Sequence, residues 1–282
     1  MFDTIINYVF MFFVFSAIGW AIECTYRSLG ERRVINSGFL YGPMCPIYGT
    51  GCLVFDICLV PISAPIEKRI IIVLLLGMVL ADAVEYITSY LMEKLFNARW
   101  WDYSNNFLNL HGRICFKHTC YWAIFAFAYV YLIAPLYRYA LTFISQEIRT
   151  IAVFVILAIF AVDLTFTVKA AADINKLMRK LSGLKSTVLS KTEAIKNTAE
   201  DKYEELRSST DKFSEWKDDI NRQYLEIITQ YKKLDSKENK SANRLLTIYS
   251  TIRKAADDSM RDIEDTWNNI KAFFSDSDGE MM

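Results

Sequence analysis

Among the carboxylates that fall inside long apolar runs of this chain are Glu23, Asp82, Glu85 and Asp163, with Asp56 in a further run. An ionisable group within a bilayer is costly unless it meets a partner, a ligand or a water-filled cavity. At helical spacing Ser16, Gly19 and Glu23 share a face, Asp82 and Glu85 continue through Ser89 to Glu93, and Asp163 lies one turn before Thr167. Arg27, Arg99 and Arg113 are the basic candidates to face them. Such a set does one of two kinds of chemistry. It fixes a helix bundle by internal ion pairs, or it holds a charged solute or lipid headgroup. The candidate ligand-binding residues are Glu23, Asn36, Tyr41, Glu85, Arg99, Asp102 and Arg113. The structural reading stands level with the functional one at this stage.

Other chemistries find little support. His111, Cys115, His118 and Cys120 are spaced by four, three and two, and the first three could share a helix face around zinc. Gly112 interrupts that run, and no metal or cofactor is assigned. Both histidines of the chain lie there, so a histidine base elsewhere is excluded. No Gly-Lys pair exists, hence no phosphate-binding Walker loop, and no G-x-S-x-G elbow is present. Leu181-Ser-Gly183 opens like an ATPase signature, but Leu184-Lys185 follows.

The elements that must position the acids emerge from composition. The 282 residues carry 32 basic and 32 acidic side chains, very unevenly placed. Residues 1–170 hold all six cysteines and all five prolines but only 12 of the basic and 11 of the acidic groups. The pattern predicts an all-α protein of two domains: a membrane helix bundle over 1–170 and a charged helical domain over 171–282. Near-neutral charge in the second argues against a nucleic-acid surface, which needs a basic excess. About five apolar segments approach spanning length, at 3–26, 41–60, 69–93, 119–141 and 149–169. The first lacks a basic leader and reads as a retained helix. Basic residues crowd the odd loops and the stretch after the fifth segment, which predicts an outside N-terminus and a cytoplasmic C-terminus in the plasma membrane.

The second segment is preceded and opened by Asn36-Ser-Gly-Phe-Leu-Tyr-Gly-Pro-Met-Cys-Pro-Ile-Tyr-Gly-Thr-Gly51. Gly and Pro break helices, and irregular backbone in a membrane survives only where protein buries it or a cavity receives it. A broken spanning segment points to a binding site; the bland alternative is a turn with close helix packing. The third loop, rich in Trp and Tyr, is expected to lie in the inner interface. In the charged half, apolar residues alternate by three and four from Tyr203 to Leu234 and from Tyr249 to Phe274. Asp235–Lys240 is the expected turn of an antiparallel coiled-coil hairpin, with a hinge at Ser182-Gly183 and a first arm, 184–234, of roughly 75 Å. Residues 184–274 would be a self-packed stalk or a docking arm.

Several motifs occur in order: Gly19-Trp20-x-x-Glu23, Asn36-x-Gly-Phe-Leu-Tyr-Gly-Pro-x-Cys-Pro-Ile-Tyr-Gly49, Glu85-Tyr-x-Thr-Ser-Tyr through Arg99-Trp-Trp-Asp-Tyr-Ser104, and Asn109-Leu-x-Gly-Arg-Ile-Cys115. Over about residues 10–140 this resembles the bacterial membrane family named Putative ABC-transporter type IV. The family has Arg-Gly after the asparagine where this chain reads Ser37-Gly38. The resemblance implies a permease-like membrane protein.

Three functions stay open. The first is a permease-like protein binding a small polar or charged solute, or a lipid headgroup, in an inner-leaflet pocket, energised by a cytosolic ATPase partner if at all. The second is a membrane scaffold or sensor recruiting cytosolic proteins through its coiled coil. The third, and weakest, is a lipid-headgroup enzyme with Glu85 or Asp102 as base and Arg99 or Arg113 holding phosphate. Membrane lipids are expected partners in all three, and a homo-oligomer is compatible with each.

Overall fold

The computed structural model describes residues 1–32, 34–63, 66–96, 99–201, 210–234 and, within 254–268, all but 255 and 267. The chain divides into two compact units, Met1–Lys169 and Ala170–Met282.

In the first unit α1 spans Phe2–Glu31. No charge lies between Asp3 and Glu23, and the helix ends where Arg32 turns left-handed at φ 52°. Backbone without regular structure follows, and α2 (Pro46–Cys58) begins with Pro46 in the first turn, where its missing N–H costs nothing. A 3₁₀ turn, Val60–Ile62, ends it at Pro61. Next come α3 (Ile66–Phe96), a two-stranded antiparallel hairpin of β1 (Asn109–Leu110) and β2 (Ile114–Cys115), and α4 (Phe116–Ala128). A π turn at Tyr129–Ile133 joins α4 to α5 (Ala134–Leu141). The widened turn lies just ahead of Pro135, whose ring would otherwise press on the carbonyl of Tyr131. The first part of α6 (Gln146–Asp201) completes the unit.

Among the described residues four helices are long and apolar enough to cross a membrane: Phe2–Gly30, Arg69–Phe96, Phe116–Leu141 and Gln146–Ser190. These account for four of the about five expected segments. The second apolar segment forms only the shorter helix Pro46–Ile62, because its first residues do not join the helix.

Met11 and Phe15 of α1, Cys52 and Phe55 of α2, Val73 and Ala81 of α3 and Ala126 and Tyr129 beyond them form the core. Glycines let the helices touch. A Cβ on Gly49 would strike Ser16 Oγ and the Phe12 carbonyl oxygen, one on Gly19 the ring of Tyr48, and one on Gly77 the methyl of Ala126. Large apolar side chains such as Ile71, Val79, Leu132, Ile151 and Phe166 stay exposed, as expected of helices whose surroundings are lipid.

In the second unit Ile174, Leu177, Leu181, Leu184 and Val188 of α6 are buried in a stripe of three- and four-residue steps. With it pack α7 (Thr210–Leu234), through Ile220, Ile227 and Tyr231, and the segment 256–266, through Ala256 and Ile263. Lys180 Nζ reaches Glu226 at 3.0 Å and Gln230 at 3.2 Å, Lys185 reaches Asp262 at 2.5 Å, and the Tyr231 hydroxyl donates to Asp257 at 3.1 Å. These contacts bear on one part of the expected hairpin, its first arm as a single straight helix over 184–234. Residues 180 and 226 in one straight helix would stand about 70 Å apart, so the chain reverses between them and three helical segments pack together. The expected hinge at Ser182-Gly183 is helical. The expected turn at 235–240 and the stripe residues Tyr203, Leu206, Tyr249, Ile252, Trp267, Ile270 and Phe274 lie outside the described residues.

Candidate functional site

The irregular segment ahead of α2 is tied down on all sides. Asn36 Oδ1 accepts the Trp20 indole N–H at 2.7 Å, and Asn36 Nδ2 donates to the Tyr41 carbonyl at 3.2 Å. The Cys45 amide donates to the carbonyl of Ser16 at 2.9 Å. Asp163 of α6 receives two consecutive amides, Tyr41 N–H at 2.8 Å and Gly42 N–H at 2.7 Å, and the Thr167 hydroxyl at 3.1 Å. Backbone donors freed by the broken helix thus find a carboxylate from a distant span, which meets the requirement of a membrane interior. Leu40 is fully buried, and Phe39 packs edge-on to Trp100 at 5.1 Å. Asn36 and the Tyr41 backbone thus take part in the hydrogen bonds that shape this segment.

The loop after α3 folds onto that helix. Its turn carries His111 at φ 53° and Gly112 at φ 69°. A Cβ on Gly112 would also press on Ser104 and Asp102, so both conformation and space require glycine there. The turn delivers Arg113, which is 8% exposed, to α3. Its guanidinium donates to Glu93 at 2.5 Å and Ser89 at 3.1 Å and lies 5.5 Å from the rings of both Tyr86 and Tyr90. Arg99 pairs with the same Glu93 at 3.3 Å, donates to the His111 carbonyl at 3.3 Å and stands 3.9 Å from Asp102. Asp102 accepts the amide and hydroxyl of Ser104, at 2.9 and 2.5 Å. The Ser104 hydroxyl first, then its amide and the nearby Arg99, hold the Asp102 carboxyl below its ordinary value. The arginines are expected to face Glu23, Glu85 or Asp102; Arg99 does stand 3.9 Å from Asp102, while among the described residues the closer ion pairs of both arginines are with Glu93, since the hairpin sets Arg113 two turns beyond Glu85 along α3.

Glu85 has a different environment. It is 5% exposed, and its oxygens accept the Tyr103 hydroxyl at 3.2 Å and the Trp122 indole N–H at 3.0 Å. Burial, and then the Glu85 carboxylate, push the Tyr103 hydroxyl well above its usual value. The Tyr103 ring stacks on His118 at 4.3 Å. Glu23 accepts the Tyr48 hydroxyl at 3.1 Å, and Asp82 accepts Thr119 Oγ1 at 2.8 Å. Among the described residues none of these three acids makes an ion pair. A small cleft with a cavity volume of about 10 Å³ lies beside Glu85, with Tyr48, Phe55, Ala81, Trp122 and Phe125 in its walls.

Tyr48, Tyr103, Trp122 and Glu93 were absent from the sequence-derived set. Glu93 had a signal in its place on the Asp82–Glu85–Ser89 stripe, and Tyr48 and Tyr103 lie within the motifs that carry the family resemblance. Among the described residues no three His, Cys, Asp or Glu side chains are grouped to hold a metal; Cys115 and His118 form a pair, at 3.1 Å. Asp56, the remaining acid of α2, pairs with Arg138 at 2.7 Å and accepts the Tyr129 hydroxyl at 3.2 Å.

No curated protein and no solved structure matches this chain. A family model does match, over residues 10–168, a stretch that contains the tied-down segment, the hairpin and the cleft. More than half of the chain is covered, and the protein belongs to the family described as Putative ABC-transporter type IV.

Proposed function

We propose that this ABC-transporter-related membrane protein is permease-like and holds a small polar or charged solute in the cleft beside Glu85. The observation that carries the reading is the contrast between two acids of one helix. Glu93 is neutralised by arginines, as a structural acid should be, whereas Glu85 is buried against neutral donors beside a small cleft. A buried carboxylate without a counter-ion is a functional residue by default in a membrane. The same contrast weakens the headgroup-enzyme reading, since both arginines assigned to phosphate are engaged by Glu93. The cleft opens to the cytoplasmic side in this proposal, with the second unit in the cytoplasm and the N-terminus outside. Energy, where transport is active, comes from a cytosolic partner.

The test places a single cysteine at Val84, a wall residue of the cleft, in a chain whose six native cysteines are replaced. A charged thiol reagent should label it in inside-out vesicles and not in right-side-out ones. Protection from both sides would exclude a solute cleft.

A further inference from the structure

We infer that the tip of the hairpin loop is a lipid-inserted wedge: Phe107, Leu108 and Leu110 enter the leaflet at which α3 ends and α4 begins. The wedge is independent of what the Glu85 cleft holds. Its first support is that the loop is built inside out. The polar side chains turn inward and brace it. Asn109 Nδ2 donates to the carbonyls of Ser104 at 2.9 Å and Asn106 at 3.0 Å, Asn109 Oδ1 accepts the Gly112 amide at 3.0 Å, and Asn106 Nδ2 donates to Cys115 Sγ at 3.4 Å. The Trp and Tyr rings expected in the interface are drawn in as well: Trp100 is buried, the Trp101 indole donates to the Arg113 carbonyl at 3.0 Å, and the Tyr103 hydroxyl donates to Glu85. The loop exposes Phe107, Leu108 and Leu110 instead. Leu108 stands at φ 47°, a conformation that turns in water leave to Gly or Asn, and it is 67% exposed. A solvated turn gains nothing from leucine there, whereas a turn in lipid takes an apolar side chain out of water.

The second support is depth. Lys94, in the last turn of α3, lies 5.6 Å from the Tyr90 ring, and Lys117, in the first turn of α4, lies 5.8 Å from the Tyr121 ring. Tyrosine rings and snorkelling lysines at span ends mark the headgroup level. The hairpin reaches past that level. His111 in its turn shares a 3.0 Å hydrogen bond with the Tyr86 hydroxyl, one turn nearer the bilayer centre than Tyr90 and roughly 15 Å back from Phe96 along the helix. The apolar tip is also continuous with the outer face of a span. Phe107 packs edge-on to Phe116 at 6.1 Å, and Phe116 begins the span Phe116–Leu141, on which Ile124 and Leu132 are exposed. The acyl chains that surround α4 therefore cover the tip as well, and no second protein is needed.

The experiment uses the full chain, its six cysteines replaced, in lipid nanodiscs and with one cysteine carrying a bimane fluorophore. Leu108→Cys should lose most of its emission when the nanodisc lipid has brominated acyl chains, and little of it to aqueous iodide. Leu132→Cys, on the exposed face of α4, is the lipid reference, and the exposed Lys232→Cys of the second unit is the water reference. Phe107→Cys should behave as Leu108→Cys does, and either one decides the question if the other yields no folded protein. Quenching by iodide alone, as at Lys232→Cys, puts the tip in water and overturns the inference. Equal quenching by both agents describes a tip that only grazes the surface, and overturns it as well. Quenching by neither means that protein covers the tip, a second copy or another part of the chain, and this too overturns the wedge.

Discussion

Glu85 and Glu93 stand about two turns apart on α3 and answer to different neighbours, so neutralising each should have different consequences. Glu93→Gln strands the guanidinium of Arg113, which is 8% exposed. Removing one partner of a fully buried ion pair costs about 3–5 kcal/mol, but Glu93 is one-third exposed, so roughly 1–3 kcal/mol is expected here after screening. Glu85→Gln keeps an acceptor for one of two neutral donors and should shift stability by less than about 1 kcal/mol. Thermal unfolding in one detergent tests both; equal losses would make Glu85 structural too. Asp102 offers a pH test. Its folded carboxyl lies below the ordinary value, so the stability it contributes is complete above the unfolded value, about 3.9, and is lost as pH falls through the folded one. The Tm difference between wild type and Asp102→Asn should thus be present at neutral pH and shrink below about pH 4; a constant difference would show that the Ser104 and Arg99 contacts are not its source. Sequence alone placed Glu85 and Glu93 on one face. Which of them receives the arginines depends on how the 109–115 hairpin folds back, a long-range event without a local signal.

At the scale of elements, Gly and Pro between Asn36 and Gly51 do separate jobs. Gly38, at φ 152°, belongs to the irregular segment, and Pro46 starts a helix. Gly49 is helical and permits contact with α1. The break was legible because Gly and Pro act locally. The division of labour was not, because Gly49 answers to Phe12 and Ser16 on another helix. Gly49→Val would drive a side chain into a backbone carbonyl that cannot yield, and folded yield on size exclusion should collapse. Gly51, two residues on, has nothing within 4 Å of a new Cβ, and Gly51→Ala should match or slightly exceed wild-type stability. Asp163→Ala removes the acceptor of two amides and should cost roughly 2–4 kcal/mol, since hydrogen bonds to charged groups are the stronger kind. The loss should appear as a lower Tm, and Asp163→Asn, which keeps an oxygen, should recover part of it.

At the scale of the molecule, four apolar helices of spanning length among the described residues are accompanied by the shorter Pro46–Ile62, and the course of that helix decides the topology. If it crosses the bilayer, the two termini lie on opposite faces. An impermeant thiol reagent outside intact cells should then label a cysteine placed before Phe2 and leave Lys240→Cys untouched. Labelling of Lys240→Cys from outside would invert the orientation. The second unit was half legible. Its later stripes were visible as alternating steps of three and four, but the one from Ile174 to Val188 follows an apolar span directly and is masked by it. Lastly, the Asp163 clamp joins backbone amides to a carboxylate about 120 residues later in the chain. At roughly 5–20 residues per second of synthesis, the Tyr41 and Gly42 amides wait about 6–25 s for their acceptor. The segment between α1 and α2 is therefore among the last parts of the bundle to mature, although it is among the first made. Ribosome-held chains that stop short of residue 163 should leave it open to protease, and release of one more stretch of chain should close it.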